Sequence, residues 1–402
     1  MTKRRKVAFL LLYNLKEGAG NENWLISLLG QTNFPEIYDV SVYQPDIFIN
    51  ERFSSLFIKN KLKDVKIHEY HDYIHKIDFL NENKLMSVFL ESFLRPVFVK
   101  FLSLTVYRRM SVEIGRSDVI YLFYNDYVGL IKGKPPLIIG TTHDWYPAWS
   151  NIFGKIRLKL ISLGLLWHNI NSFNFFTESS QLLFNTQRLK TDIIPVCRDS
   201  SLFYPVEQKE NHKIVFTFLG RLVECKGLRE VVTAWKNVCI HQESELHIIG
   251  KGLLFEELLE ISDETIFVHG SVAQEELKST LSKCDYFLFP TKCDTLGTVV
   301  MEAAMSGVYV YCSDVLKGEF DDLEQHEILE YIDPSADGVK TAIQEARKRG
   351  KRPFAKKLDA YLYMKANYDV SIMEQKLYNF IESNTTYNFS SSKYDYYTKN
   401  AR

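Results

Sequence analysis

Short apolar runs alternate along the chain with amphipathic stretches of helical period, the signature of β-α units and parallel sheets. In the first half the runs are Val7–Tyr13, Tyr38–Tyr43, Val119–Tyr124, Leu137–Thr141, Phe173–Thr177 and Thr191–Pro195. In the second they are Ile214–Leu219, Glu245–Ile249, Thr265–Val268, Tyr286–Pro290, Val308–Cys312 and Leu329–Ile332. Each stops at a glycine, a proline or a polar turn, as strands buried on both faces do when they feed a loop. The polar segment PVCRDSSLFYPVEQKENHK, from Pro195 to Lys213, separates the two series and reads as a linker. The pattern therefore predicts an α/β protein of two doubly wound, Rossmann-like domains, residues 1–205 and 206–370. A last helix at about 371–382 completes the first domain, and a polar tail, 383–402, follows. Ligands of such sheets bind at the carboxyl ends of the strands, so the informative residues are those directly after strands.

The 402 residues are enough for two cores, and 46% hydrophobic with 14% aromatic positions exclude a disordered or fibrous chain. A net charge of −1 hides an asymmetry. Residues 1–195 hold 24 Lys/Arg against 18 Asp/Glu, and the remainder is acidic by a similar margin. An excess of cations in one half suits an anionic partner such as a lipid surface or phosphates, or reflects ordinary scatter. Neither half is basic enough for a nucleic-acid binder. Six cysteines without a C-x-x-C pair fit a reduced, cytoplasmic protein rather than a disulfide framework or zinc site. Val7–Tyr13 is too short, and lacks the following cleavage site, for a signal peptide. No run approaches the ~20 apolar residues of a spanning helix, which leaves peripheral membrane contact.

Two constellations carry chemistry. After the run Tyr286–Pro290 comes KCDTLGTVVMEAAMSG, Lys292–Gly307. Its Leu296-Gly297-Thr298 can turn sharply and start a helix whose open amides and positive dipole end attract an anion. Gly297 allows a phosphate close to the backbone. Glu302, one turn into that helix, can chelate a ribose diol, and Asp294 can reach sugar hydroxyls. A helix cap and a solvated glutamate are the ordinary alternatives. The second constellation is FTFLGRLVECKG, Phe216–Gly227. There Gly220, Arg221 and Lys226 follow a strand, offering a guanidinium fork and an ammonium to a diphosphate. No P-loop is present.

Gly220-Arg221-Leu222 with Lys226-Gly227, then Glu245–Gly252, then Asp294 and Glu302, appear in that order within about ninety residues. This set resembles the C-terminal domain of family 4 GT-B glycosyltransferases. The resemblance implies a nucleotide-sugar donor held by the second domain and an acceptor held by the first. Arg221 and Lys226 match the pair on the diphosphate. Asp294 matches the first acidic position of the E-x7-E motif, facing the transferred sugar, and Glu302 the second, on the ribose. Gly250–Leu253, with Gly252 and Leu253 foremost, and Val268–Gly270 match the walls around the base. Gly18-Ala19-Gly20 resembles the glycine loop near the phosphate and acceptor. His143, after the strand Leu137–Thr141, falls where the family places a cleft histidine. Residues 194–205 resemble its P-N-G-V-D linker, with Val196-Cys197 in place of Asn-Gly. Aspartate at 294 is one methylene shorter than the usual glutamate.

The resemblance implies a retaining, metal-independent hexosyltransferase using UDP- or GDP-linked donors without a cofactor. Lipid-linked oligosaccharide or cell-surface glycan is the expected acceptor. The alternatives are a catalytically silent nucleotide- or glycan-binding scaffold, or another GT-B enzyme such as a sugar phosphorylase. His68, His71 and His75 could share a helical face, but no companion carboxylate or thiol set completes a zinc site. The stretch Lys84–Met110 combines apolar surface with Arg95, Lys100, Arg108 and Arg109, as a membrane-docking helix or a buried one would.

Overall fold

The computed structural model describes residues 4–17, 20–47, 53–73, 95–141, 169–183, 189–207, 213–238, 243–272, 274–294 and 297–385. Seven strands build the first sheet: β1 Lys6–Leu10, β2 Asp39–Pro45, β3 Lys66–Tyr70, β4 Val119–Leu122, β5 Leu137–Thr141, β6 Ser172–Phe175 and β7 Lys190–Ile193. They lie parallel in the order β3-β2-β1-β4-β5-β6-β7. The second sheet has β8 Ile214–Leu219, β9 Ser244–Ile249, β10 Ile266–Val268, β11 Tyr286–Phe289, β12 Tyr309–Ser313 and β13 Leu329–Ile332. Its order is β10-β9-β8-β11-β12-β13, again all parallel. In both sheets the order reverses beside the first strand, so each has its switch point between that strand and the fourth, where the connections on the two sides diverge and leave a crevice. The central strands are apolar throughout because helices cover both faces: β4, β5 and β11 are buried along their whole length.

β3 has no counterpart in the apolar pattern. It is an edge strand, KIHEY, largely exposed, and with one side open it needs no apolar run. This corrects the helical histidine face: His68 lies in β3, stacked on Tyr43 at 4.6 Å, and His71 pairs with Asp46 at 2.7 Å. His75 lies outside the described residues, among which no group of three or more His, Cys, Asp and Glu is arranged to hold a metal.

The final helices divide between the sheets. Phe354–Tyr368 buries Ala360 and Met364 in the second core, and its buried Lys357 donates to the Cys284 carbonyl at 2.6 Å beside Asp285. Val370–Asn384 instead packs Met373, Leu377, Phe380 and Ile381 against Phe9, Trp24 and Tyr121 in the first. Glu382 near its end accepts from Tyr38 at 3.0 Å and pairs with Arg5. The chain passes between the sheets twice, and the two passages touch. Arg198 N–H donates to the Tyr368 carbonyl at 2.9 Å, and Val370 N–H to the Arg198 carbonyl at 3.1 Å. Asp369 accepts from Ser200 N–H at 3.0 Å and caps the last helix through Ser371 N–H.

Candidate active site

At the end of β8 the backbone turns at Gly220, whose N–H donates to the Ile249 carbonyl at 3.0 Å. Leu222, buried, anchors the turn and donates to the Lys251 carbonyl at 2.9 Å. Gly250 and Gly252 make this close packing of two loops feasible: a Cβ on Gly250 would sit 1.8 Å from the Gly220 carbonyl oxygen, and one on Gly252 2.3 Å from that of Leu222. Arg221 projects from the turn, exposed, and its guanidinium has no ion pair or hydrogen bond among the described residues. Leu253, on the neighbouring loop after β9, is 93% exposed.

Five residues on, Lys226 is buried. Its Nζ donates to Asp294 Oδ2 at 2.6 Å and to the Cys293 carbonyl at 2.9 Å, and it lies 5.9 Å from the Phe289 ring centroid. Gly227 brings it there. Gly227 adopts φ +75°, and a Cβ on it would sit 1.9 Å from the Pro290 carbonyl oxygen. Only glycine allows the loop after β8 to cross the end of β11 this tightly.

Asp294 in turn accepts from Gly297 N–H through Oδ1 at 3.4 Å. Gly297 is left-handed, with φ 48°, and opens the helix Thr298–Met305, which no side chain caps. An ammonium, a carboxylate and the open amides of a helix start therefore meet at the ends of β8 and β11. Across from them stands the start of the helix Gly20–Gln31 from the first domain. A Cβ on Gly20 would come within 3.3 Å of Thr298 Cγ2, so two helix N-termini, one per sheet, approach each other here. Open helix starts of this kind attract anions, and here the Lys226 ammonium stands beside one of them, paired with Asp294.

Glu302, one turn into the helix, is 5% exposed. Its Oε1 accepts from Arg198 Nε at 3.2 Å, while its Oε2 is buried without a hydrogen-bond partner. Arg198 is not singled out by the sequence, where it sits in the linker segment Pro195–Lys213 with no motif around it that marks a role. Cys293 is exposed; partial desolvation, with the neighbouring Cys225 thiol adding to it, pushes its thiol above the usual range. His143, Gly18 and Leu296 lie outside the described residues. Gly20, Gly220, Arg221, Lys226, Gly252, Leu253, Asp294, Gly297 and Thr298 lie on loops or helix starts that follow strands, and Glu302 lies one turn into the helix Thr298–Met305.

Residues 202–353 match the family model described as Glycosyl transferases group 1. A sequence search of the curated proteins finds no match. Among solved structures, the chain is similar to sucrose-phosphate synthase from Thermosynechococcus elongatus, with TM-score 0.65 and 14% identity over 94% of this chain and 99% of that one. A glycosyltransferase from Rickettsia africae gives TM-score 0.65 and 12% identity over 96% and 99%. Anabaena HepE, solved in complex with UDP and glucose, gives 0.62 and 14% over 94% and 100%. The two parallel sheets have the GT-B fold of these structures, and residues 202–353, which hold the second sheet, match the group 1 glycosyltransferase family model.

Proposed function

We propose that the chain transfers a hexose from a UDP- or GDP-linked donor, with retention of anomeric configuration and without a metal, to a lipid-linked oligosaccharide or cell-surface glycan. The observation that carries this reading is the meeting of Lys226, Asp294 and the uncapped helix start at Gly297–Thr298 at adjoining strand ends, with the exposed Arg221 guanidinium, unbonded among the described residues, on the turn after β8. As the bond from the anomeric carbon to the diphosphate breaks, negative charge grows on the leaving oxygens. Lys226 and the helix amides are held in place to receive it, the exposed Arg221 joins them when the diphosphate binds, and such preorganised electrostatics is usually the largest catalytic term. The acceptor hydroxyl attacks from the same face and gives its proton to the departing phosphate oxygen, so the protein supplies no nucleophile. Asp294 faces the sugar, Glu302 the ribose, and His143 orients the sugar.

Exposed Val97, Phe101, Leu104 and Val106 stand beside exposed Lys100, Arg108 and Arg109 in and after the helix Arg95–Leu104. Apolar anchors among cations suit peripheral docking on the anionic cytoplasmic face of a membrane, where lipid-linked acceptors reside. No helix among the described residues is long and apolar enough to cross a membrane. The test is to supply UDP- and GDP-hexoses with polyprenol-linked and free glycan acceptors. Release of nucleoside diphosphate and an NMR-assigned product with the donor's anomeric configuration are expected. An inverted product refutes retention; nucleotide binding with no turnover on any acceptor refutes the enzymatic reading.

A further inference from the structure

We infer that Arg198 is a positioning residue of the donor site: from the seam between the two sheets its guanidinium holds one oxygen of Glu302 and leaves the other aimed at the ribose hydroxyls. The inference rests on the reading of Glu302 as the ribose carboxylate. Arg198 and Glu302 are 104 positions apart, on different sheets' segments, and both are almost fully buried, at 3% and 5% exposure. Their contact is single: Nε to Oε1 at 3.2 Å. Arg198 Nη1 is held by the Cys197 carbonyl at 3.0 Å. Guanidinium–carboxylate pairs are frequently two-pronged, which satisfies both oxygens. Here Glu302 Oε2 remains buried and without a partner, a state that costs free energy unless a donor group arrives. A vicinal diol brings two hydroxyl donors.

The backbone of Arg198 is equally committed. Its N–H and carbonyl both bond to the second passage between the sheets, at Tyr368 and Val370.

The test compares calorimetric affinities for UDP and GDP with those for their 2′,3′-dideoxy counterparts. The wild type should prefer the ribonucleotide by about tenfold or more, as loss of a hydrogen bond to a charged group implies. Glu302→Gln should erase most of that preference. Arg198→Met should lower it at least about threefold, with dideoxynucleotide affinity held within about twofold, and Arg198→Lys should restore part of it. A merely cohesive role would change both nucleotides alike. Should Arg198→Met fail to fold, the double variant R198M/E302Q removes both charges together. It should then match Glu302→Gln alone, and a further drop in preference overturns the inference. Full preference in Arg198→Met, with Glu302→Gln lacking it, also overturns the inference while leaving the ribose reading intact. Full preference in Glu302→Gln sinks the ribose reading itself.

Discussion

Replacing Arg221 with alanine separates catalysis from folding more cleanly than any other change in this site. The side chain is exposed, and nothing among the described residues bonds it, so its removal should shift the free energy of unfolding by no more than about 0.5 kcal/mol. Its proposed partners are oxygens of the departing diphosphate. A fork making two charge-assisted bonds, each worth about 1.5–3 kcal/mol, supplies about 3 kcal/mol or more at the transition state. At 1.36 kcal/mol per decade this is a loss of about 10²-fold or more in kcat/KM. The assay is nucleoside diphosphate release over a range of donor concentrations, with urea unfolding of the same preparation as control. Turnover like the wild type's removes Arg221 from the mechanism. A fall in stability matching the fall in activity would make the guanidinium a structural group.

Lys226→Met should behave differently, because this ammonium already holds Asp294 and the Cys293 carbonyl. Activity should fall about 10²-fold, and stability by about 1–3 kcal/mol, less than a fully buried pair would lose because Asp294 keeps 20% of its side chain exposed; unchanged urea unfolding contradicts this. Gly227→Ala forces a left-handed alanine whose Cβ lies 1.9 Å from the Pro290 carbonyl oxygen. A loss of at least about 2 kcal/mol in chemical denaturation is expected, and a wild-type midpoint refutes the tight crossing. His247 and His269 stack with rings 5.0 Å apart, and burial lowers both below the usual histidine value of 6.5. The unfolded chain then binds more protons in that range, so stability is full above about pH 6.5 and declines as pH falls from there toward the folded values. His247→Phe should flatten the acid limb of a plot of melting temperature against pH, and an identical limb would refute the assignment.

What the sequence shows and hides follows from which interactions are local. Strands buried on both faces appear as apolar runs, and β5, β8 and β13 coincide with theirs residue for residue. β3 is hidden because an edge strand with mixed polarity resembles a helix or loop. Lys226, Asp294 and Gly297 are legible through one rule, that residues after parallel strands converge at the switch point; the order β9-β8-β11 places two such loops side by side. The glycines carry a further message once built: Gly227, Gly250 and Gly252 mark where one backbone crosses another. The Arg198–Glu302 contact has no local trace. It depends on how the two passages between the sheets lie together, which neither periodicity nor motif spacing encodes. The last helix is predicted at about 371–382 and runs Val370–Asn384, but its attachment to the first core through Glu382, Tyr38 and Arg5 comes only from the fold.

The central claim is that a pyrophosphate sits between Arg221, Lys226 and the start of the helix Thr298–Met305. It is met most directly by titrating UDP, UMP and uridine, and the guanosine series, into the wild-type protein under calorimetry. One series should show binding that strengthens by about tenfold or more from monophosphate to diphosphate, a gain that Arg221→Ala largely abolishes. Equal affinity for nucleoside, monophosphate and diphosphate, or no binding in either series, would contradict the account.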